Sequence, residues 1–99
     1  MAPCDGDGFG VDSEVIAFGR IAGERLRQDP ADADALFVLA ASRLACGHLS
    51  EAARFLRDLT QVRNDYPGLW QLRTTVHEAL GEVQAADACA RAARRQLDA

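Results

Sequence analysis

The sequence predicts an all-α fold of about five helices paired into antiparallel hairpins. Three observations carry this expectation. Alanine and leucine dominate, and aromatic residues make up only 6% of the chain, a composition that favours helix over strand. Apolar residues recur at helical spacing, and no stretch alternates strictly. Pro30, Gly47, Pro67 and Gly81 break the pattern at intervals suited to helix ends.

The elements follow in order. Residues 1 to 11 hold Gly6, Gly8, Gly10 and Pro3 and read as a flexible lead. A first helix is expected from Ser13 to Gln28, capped by Asp12 or Ser13 and stopped by Pro30. A second is expected from Ala33 to Ala45, opened by small acidic residues and closed by Gly47. A third is expected from Ser50 to Val62 with Ser50 as N-cap, ending at the break RNDYPG. A fourth is expected from Gly68 to Leu80, and a fifth from Gln84 to Leu97.

Length and charge bound the function. Ninety-nine residues make one small domain, and 48% hydrophobic with 26% charged residues suits a folded, water-soluble chain. The net charge of −4 argues against nucleic-acid and anionic-membrane partners. No apolar run nears the ~18 residues that span a bilayer. MAPCDGDGFG carries neither a basic nor an apolar leader region, so the expected compartment is cytoplasmic. Three widely spread cysteines, Cys4, Cys46 and Cys89, fit reduced thiols. All eleven basic residues are arginine, a usage that points to a GC-rich bacterial genome.

The chain repeats itself with a period of 34 residues. Leu36 recurs as Trp70, Gly47 as Gly81, Leu49 as Val83 and Ala52 as Ala86. The glycine allows a tight turn, and the alanine lets two helices approach closely. Leu36 and Trp70 are each expected to open a helix and to need a large apolar packing partner.

This pattern resembles the tetratricopeptide repeat (TPR). The likeness covers residues 13 to 97, with Pro30 in DPADADAL at the junction between repeats. It implies a single helical domain over 12–99, stacked as a short right-handed α-solenoid. Residues 12–32 would form a leading half-repeat, 33–66 a repeat, and 67–99 a repeat or cap. The chain departs from the family at several positions. The usual tyrosine is Arg43 and His77, the second repeat-ending proline is displaced from Asn64 to Pro67, and the second-helix aromatic is Leu56 and Ala90. An alanine-lined last helix should pack thinly.

The resemblance implies a non-enzymatic protein-interaction module, of chaperone or adaptor type, that binds a peptide or helical partner on its concave face. The matching positions are Asp34, Phe37, Ala41, Leu44 and Ala45, then Gly68, Gln71, Thr75, Glu78 and Ala79. Phe37 and Leu44 are seven apart and share a helix face. They would offer an apolar strip beside the polar Gln71, Thr75 and Glu78, unless Phe37 packs against the leading helix instead. The family's carboxylate-binding lysine and asparagine are Phe37 and Ala41 here, which disfavours capture of a C-terminal carboxylate. The alternatives are an accessory domain beside or attached to a transferase, and a homodimerising scaffold.

Other motifs carry less. Cys46 and His48 flank Gly47, but no CxxC, HxxxH or HExxH supplies further metal ligands, so they read as turn residues. Asp5, Asp7 and Gly10 imitate the start of a calcium loop, but Phe9 and Ile16 stand where ligands are needed. Gly19 and Gly23 form a GxxxG, which reads as close helix contact, with a homodimer seam as the alternative. Arg91, Arg94 and Arg95 suit a helix C-terminus. No nucleophile has a base beside it, and no phosphate-binding loop occurs, so neither catalysis nor a cofactor is expected.

Overall fold

The computed structural model describes residues 13–98 as five helices, with no strand among them. They are α1 (Ser13–Gln28), α2 (Ala33–Ala45), α3 (Leu49–Val62), α4 (Leu69–Ala79) and α5 (Val83–Asp98). The fold is therefore all-α, as the sequence predicts. The lead at 1–11, Asp12 as a cap and the calcium-like stretch lie outside the described residues.

Each helix packs against the next along the chain, and α2 also touches α4. Short connections make neighbouring helices run antiparallel. The chain thus forms helical hairpins laid side by side, with α2 and α4 adjacent in one layer.

The two hairpin turns are built alike. Gly47 and Gly81 take φ of +81° and +79°, a region that side chains with a Cβ disfavour. In the first turn Gly47 N–H donates to Leu44 O at 3.0 Å and His48 N–H to Arg43 O at 2.8 Å. In the second, Gly81 N–H donates to Glu78 O at 3.0 Å and Glu82 N–H to His77 O at 2.9 Å. These are the paired bonds of a Schellman motif, which satisfy carbonyls left over at a helix end.

The next helix starts at once. His48 O accepts from Ala52 N–H at 3.0 Å, and Glu82 O accepts from Ala86 N–H at 2.9 Å. α3 therefore begins at Leu49, one residue before the expected start. His48 occupies the N-cap position and makes no side-chain capping bond, so Ser50 does not cap the helix. At α2 the cap is Asp32, whose carboxylate accepts from Ala35 N–H at 3.0 Å.

The main core is aliphatic. Leu36, Ala40, Ala52, Leu56, Leu59, Leu69 and Val76 form one buried cluster shared by α2, α3 and α4. Ala40 and Ala52 have no exposed surface, consistent with close approach of α2 and α3. A smaller cluster of Ala22, Ala35 and Leu39 joins α1 to α2.

Trp70 departs from the expectation that it matches Leu36. Leu69 holds the fully buried place at the start of α4, and Trp70 packs at the core edge. Its indole N–H donates to Asn64 O at 2.9 Å, and the Arg73 guanidinium lies 5.1 Å from its ring centroid. A tryptophan keeps its polar edge satisfied more easily at a boundary than in an aliphatic core.

The last helix buries only small side chains, Ala86, Cys89 and Ala93; it packs on α4, and Gln96 donates to Asp65 O in the α3–α4 connection at 3.0 Å. Burial pushes the free Cys89 thiol pKa upward, with Arg73 opposing.

Candidate protein-binding surface

The connection from α3 to α4 fixes the start of the α2–α4 surface. It carries Arg63, Asp65, Tyr66 and Gly68. Arg63 pairs with Asp65 at 3.0 Å and lies 5.6 Å from the Tyr66 ring centroid. Tyr66 turns back onto α2. Its hydroxyl donates to Asp34 Oδ1 at 2.5 Å, and its ring sits 5.1 Å from that of Phe37, tilted by 33°. Desolvation of the phenol, then its bond to Asp34, pushes the Tyr66 pKa up to about 12.

Gly68 completes this contact. Its φ is +87°, and a Cβ there would lie 3.3 Å from Phe37 Cζ. Glycine thus meets two requirements, a left-handed backbone and room for an aromatic edge.

The expected surface residues fall into three groups. Asp34 is exposed but engaged by Tyr66. Phe37 and Ala41 are half-buried and line an apolar cleft of about 380 Å³ with Phe18, Val38 and Ser42. Gln71, Thr75 and Glu78 are exposed along one face of α4, where Thr75 Oγ1 donates to Gln71 O at 3.2 Å. Leu44 lies apart from the cleft, since its half-buried side chain packs against the main core.

Phe37 therefore does face the leading helix, as one expectation had it, without being sealed by it. Phe18 of α1 lines the same cleft and is 59% exposed, and Ile21 one turn later is 57% exposed. The sequence reading missed Phe18 and Tyr66. The available signals were an aromatic–aliphatic pair three residues apart on α1, and the lone tyrosine in a chain break.

A second and larger cleft, about 560 Å³, lies between α3 and α4 near the two hairpin turns. Arg54 and Arg57 of α3 face Arg73 and His77 of α4 across it. Glu51 is occupied by Arg43 at 3.1 Å and approached by His48 Nδ1 at 3.6 Å. Glu82 is bonded to His77 Nδ1 at 2.6 Å.

The Cys46–His48 stretch forms the first hairpin turn. His48 is half-buried rather than exposed, and faces Glu51. Cys46 is disulfide-bonded, which corrects the expectation of three reduced thiols, and Cys89 is free and buried. Among the described residues no three histidine, cysteine or acidic side chains converge as metal ligands.

Gly19 and Gly23 do not form a common seam. Gly19 is buried against α2, where a Cβ would lie 2.5 Å from Ser42 Oγ, whereas Gly23 has nothing within 4 Å. Arg91, Arg94 and Arg95 are exposed in the last turns of α5.

No described helix is long and apolar enough to cross a membrane. Compared with known protein families, characterised proteins and solved structures, the chain matches none of them.

Proposed function

We propose that this chain is a non-enzymatic protein-interaction module of the TPR kind, taking a peptide or helical partner on the face formed by α2 and α4. The observation that carries the reading is the apolar cleft of Phe18, Phe37, Val38 and Ala41 between α1 and α2, whose Phe37 also lies against Gly68 at the start of α4. Soluble domains leave aromatic-lined clefts open chiefly where something binds. An amphipathic helix would place its apolar side in the cleft.

The repeat reading has its own support. Two Schellman turns recur 34 residues apart, at Gly47 and Gly81, and each is followed by a buried alanine, Ala52 and Ala86. The helices pack in chain order, with α2 additionally on α4, as a stack of hairpins requires. We read its role as chaperone or adaptor for one partner, which the small size of the surface suits.

Self-association is the second reading, favoured by the exposed Phe18 and Ile21 on α1. Capture of partners from a lysate of the source organism, in competition with folded Phe18→Glu and Phe37→Glu variants, tests the first reading. Variants that compete as well as the native chain would sink it. A concentration-dependent dimer in sedimentation that disappears with Ile21→Glu would favour the second.

A further inference from the structure

The chain is acidic as a whole, with a net charge of −4, yet the cleft of about 560 Å³ between α3 and α4 is lined by three arginines. Among the described residues, none of these three guanidiniums lies within 4 Å of a carboxylate. Of the two acids in the cleft, Glu51 is paired with Arg43, which stands outside the lining, and Glu82 is hydrogen-bonded to His77. The three arginines therefore outnumber the acids of the cleft.

The guanidiniums are also held in an informative way. Arg73 lies 5.1 Å from the Trp70 ring centroid and donates Nη1 to Thr60 Oγ1 at 3.1 Å. Arg54 lies 5.4 Å from the Phe55 ring centroid. Contact with an aromatic ring restrains a guanidinium and leaves N–H donors for a planar acceptor. Arg57, one turn from Arg54 on α3, has no ion pair or ring contact among the described residues. Two restrained donors and one free donor, set on two helices around one cleft, match several carboxylates spaced along a chain.

We infer that the α3–α4 cleft binds an acidic peptide segment through Arg54, Arg57 and Arg73. Carboxylate side chains suit the cleft better than a polyphosphate chain does. Ala53 and Leu80 in the lining offer apolar contact to the stems of glutamate side chains. This surface lies on α3 and α4 and is separate from the Phe18–Phe37 cleft, so each can fail without the other.

Fluorescence anisotropy with a labelled hexaglutamate peptide tests the inference, with labelled hexaglutamine and labelled oligothymidine as comparison probes. Hexaglutamate should bind the native chain and hexaglutamine should not. Exposed Arg54 and Arg57 can be reversed with little threat to folding, and Arg54→Glu/Arg57→Glu should weaken hexaglutamate binding by about tenfold or more. Arg91→Glu/Arg94→Glu changes the net charge equally at exposed sites outside the cleft, and should weaken it by less than about threefold. If Arg54→Glu/Arg57→Glu does not fold, as judged by circular dichroism, Arg54→Gln/Arg57→Gln replaces it with the same expected direction. Equal losses in the two charge-reversal pairs, equal binding of hexaglutamine, or tighter binding of oligothymidine would overturn the inference.

Discussion

The Tyr66 hydroxyl donates to the Asp34 carboxylate at 2.5 Å, joining residues 32 apart in the chain. This bond ties the α3–α4 connection to the start of α2 and holds the Tyr66 ring against Phe37. The edge of the proposed binding face is therefore set by a contact between a loop and a helix.

The bond has a titration signature. Tyr66 is the chain's one tyrosine, so tyrosinate absorbance reports it alone. The midpoint should fall at about 12, where an unfolded tyrosine titrates at about 10. Because the folded pKa is raised, the stabilising contribution is complete below the unfolded value and is lost as pH climbs from about 10 through about 12. Asp34→Asn removes the charge that opposes ionisation and should bring the midpoint down. A native midpoint at the unfolded value would show that the bond does not form in solution.

The GxxxG stretch yields a test by sign. Gly19→Ala places a methyl 2.5 Å from Ser42 Oγ, so it should destabilise the fold by roughly 1–3 kcal/mol. Gly23→Ala meets nothing within 4 Å and removes a helix-weakening glycine, so it should stabilise by up to about 1 kcal/mol. Thermal melts of the two variants should shift in opposite directions. Shifts of the same sign would contradict the packing of α1 on α2.

The hairpin turns make a further comparison. Gly47→Val forces a β-branched residue to φ near +81° and should cost about 2 kcal/mol or more. His48→Ala removes only a 3.6 Å approach to Glu51, with the histidine ring on a partly exposed turn, and should cost well under about 1 kcal/mol. Denaturant titration of both variants gives the order directly. A larger loss at His48 would return chemistry to this turn.

Helix positions were legible because local signals set them. Pro30, Gly47 and Gly81 act on the backbone at their own positions, so the 34-residue recurrence of Gly47 survives as a recurrence of geometry. The start of α3 was misplaced by one residue because the Schellman turn hands the chain straight to a new helix, leaving Ser50 inside its first turn. Helical spacing could not decide which of Leu69 and Trp70 enters the core. That choice depends on what Asn64 and Arg73 offer the indole from elsewhere.

The binding face was only partly legible for the same reason. Phe37 and Ala41 were found from α2 alone, but the cleft needs Phe18 from α1. Leu44 shares the expected periodicity with Phe37, yet α3 and α4 supply the core that takes it up. The arginine cleft joins Arg54 and Arg57 to Arg73 on another helix, a grouping that no spacing along the chain displays.

Site-specific photo-crosslinking tests the central claim most directly. A photoreactive residue is placed at exposed Gln71 on the proposed face, and in a second protein at exposed Arg91 on α5. Each is illuminated with the partner captured from the source lysate. The account expects strong crosslinking from position 71, abolished by Phe37→Glu, and little from position 91. Equal crosslinking from both positions, or crosslinking at 71 that survives Phe37→Glu in a folded protein, would contradict it.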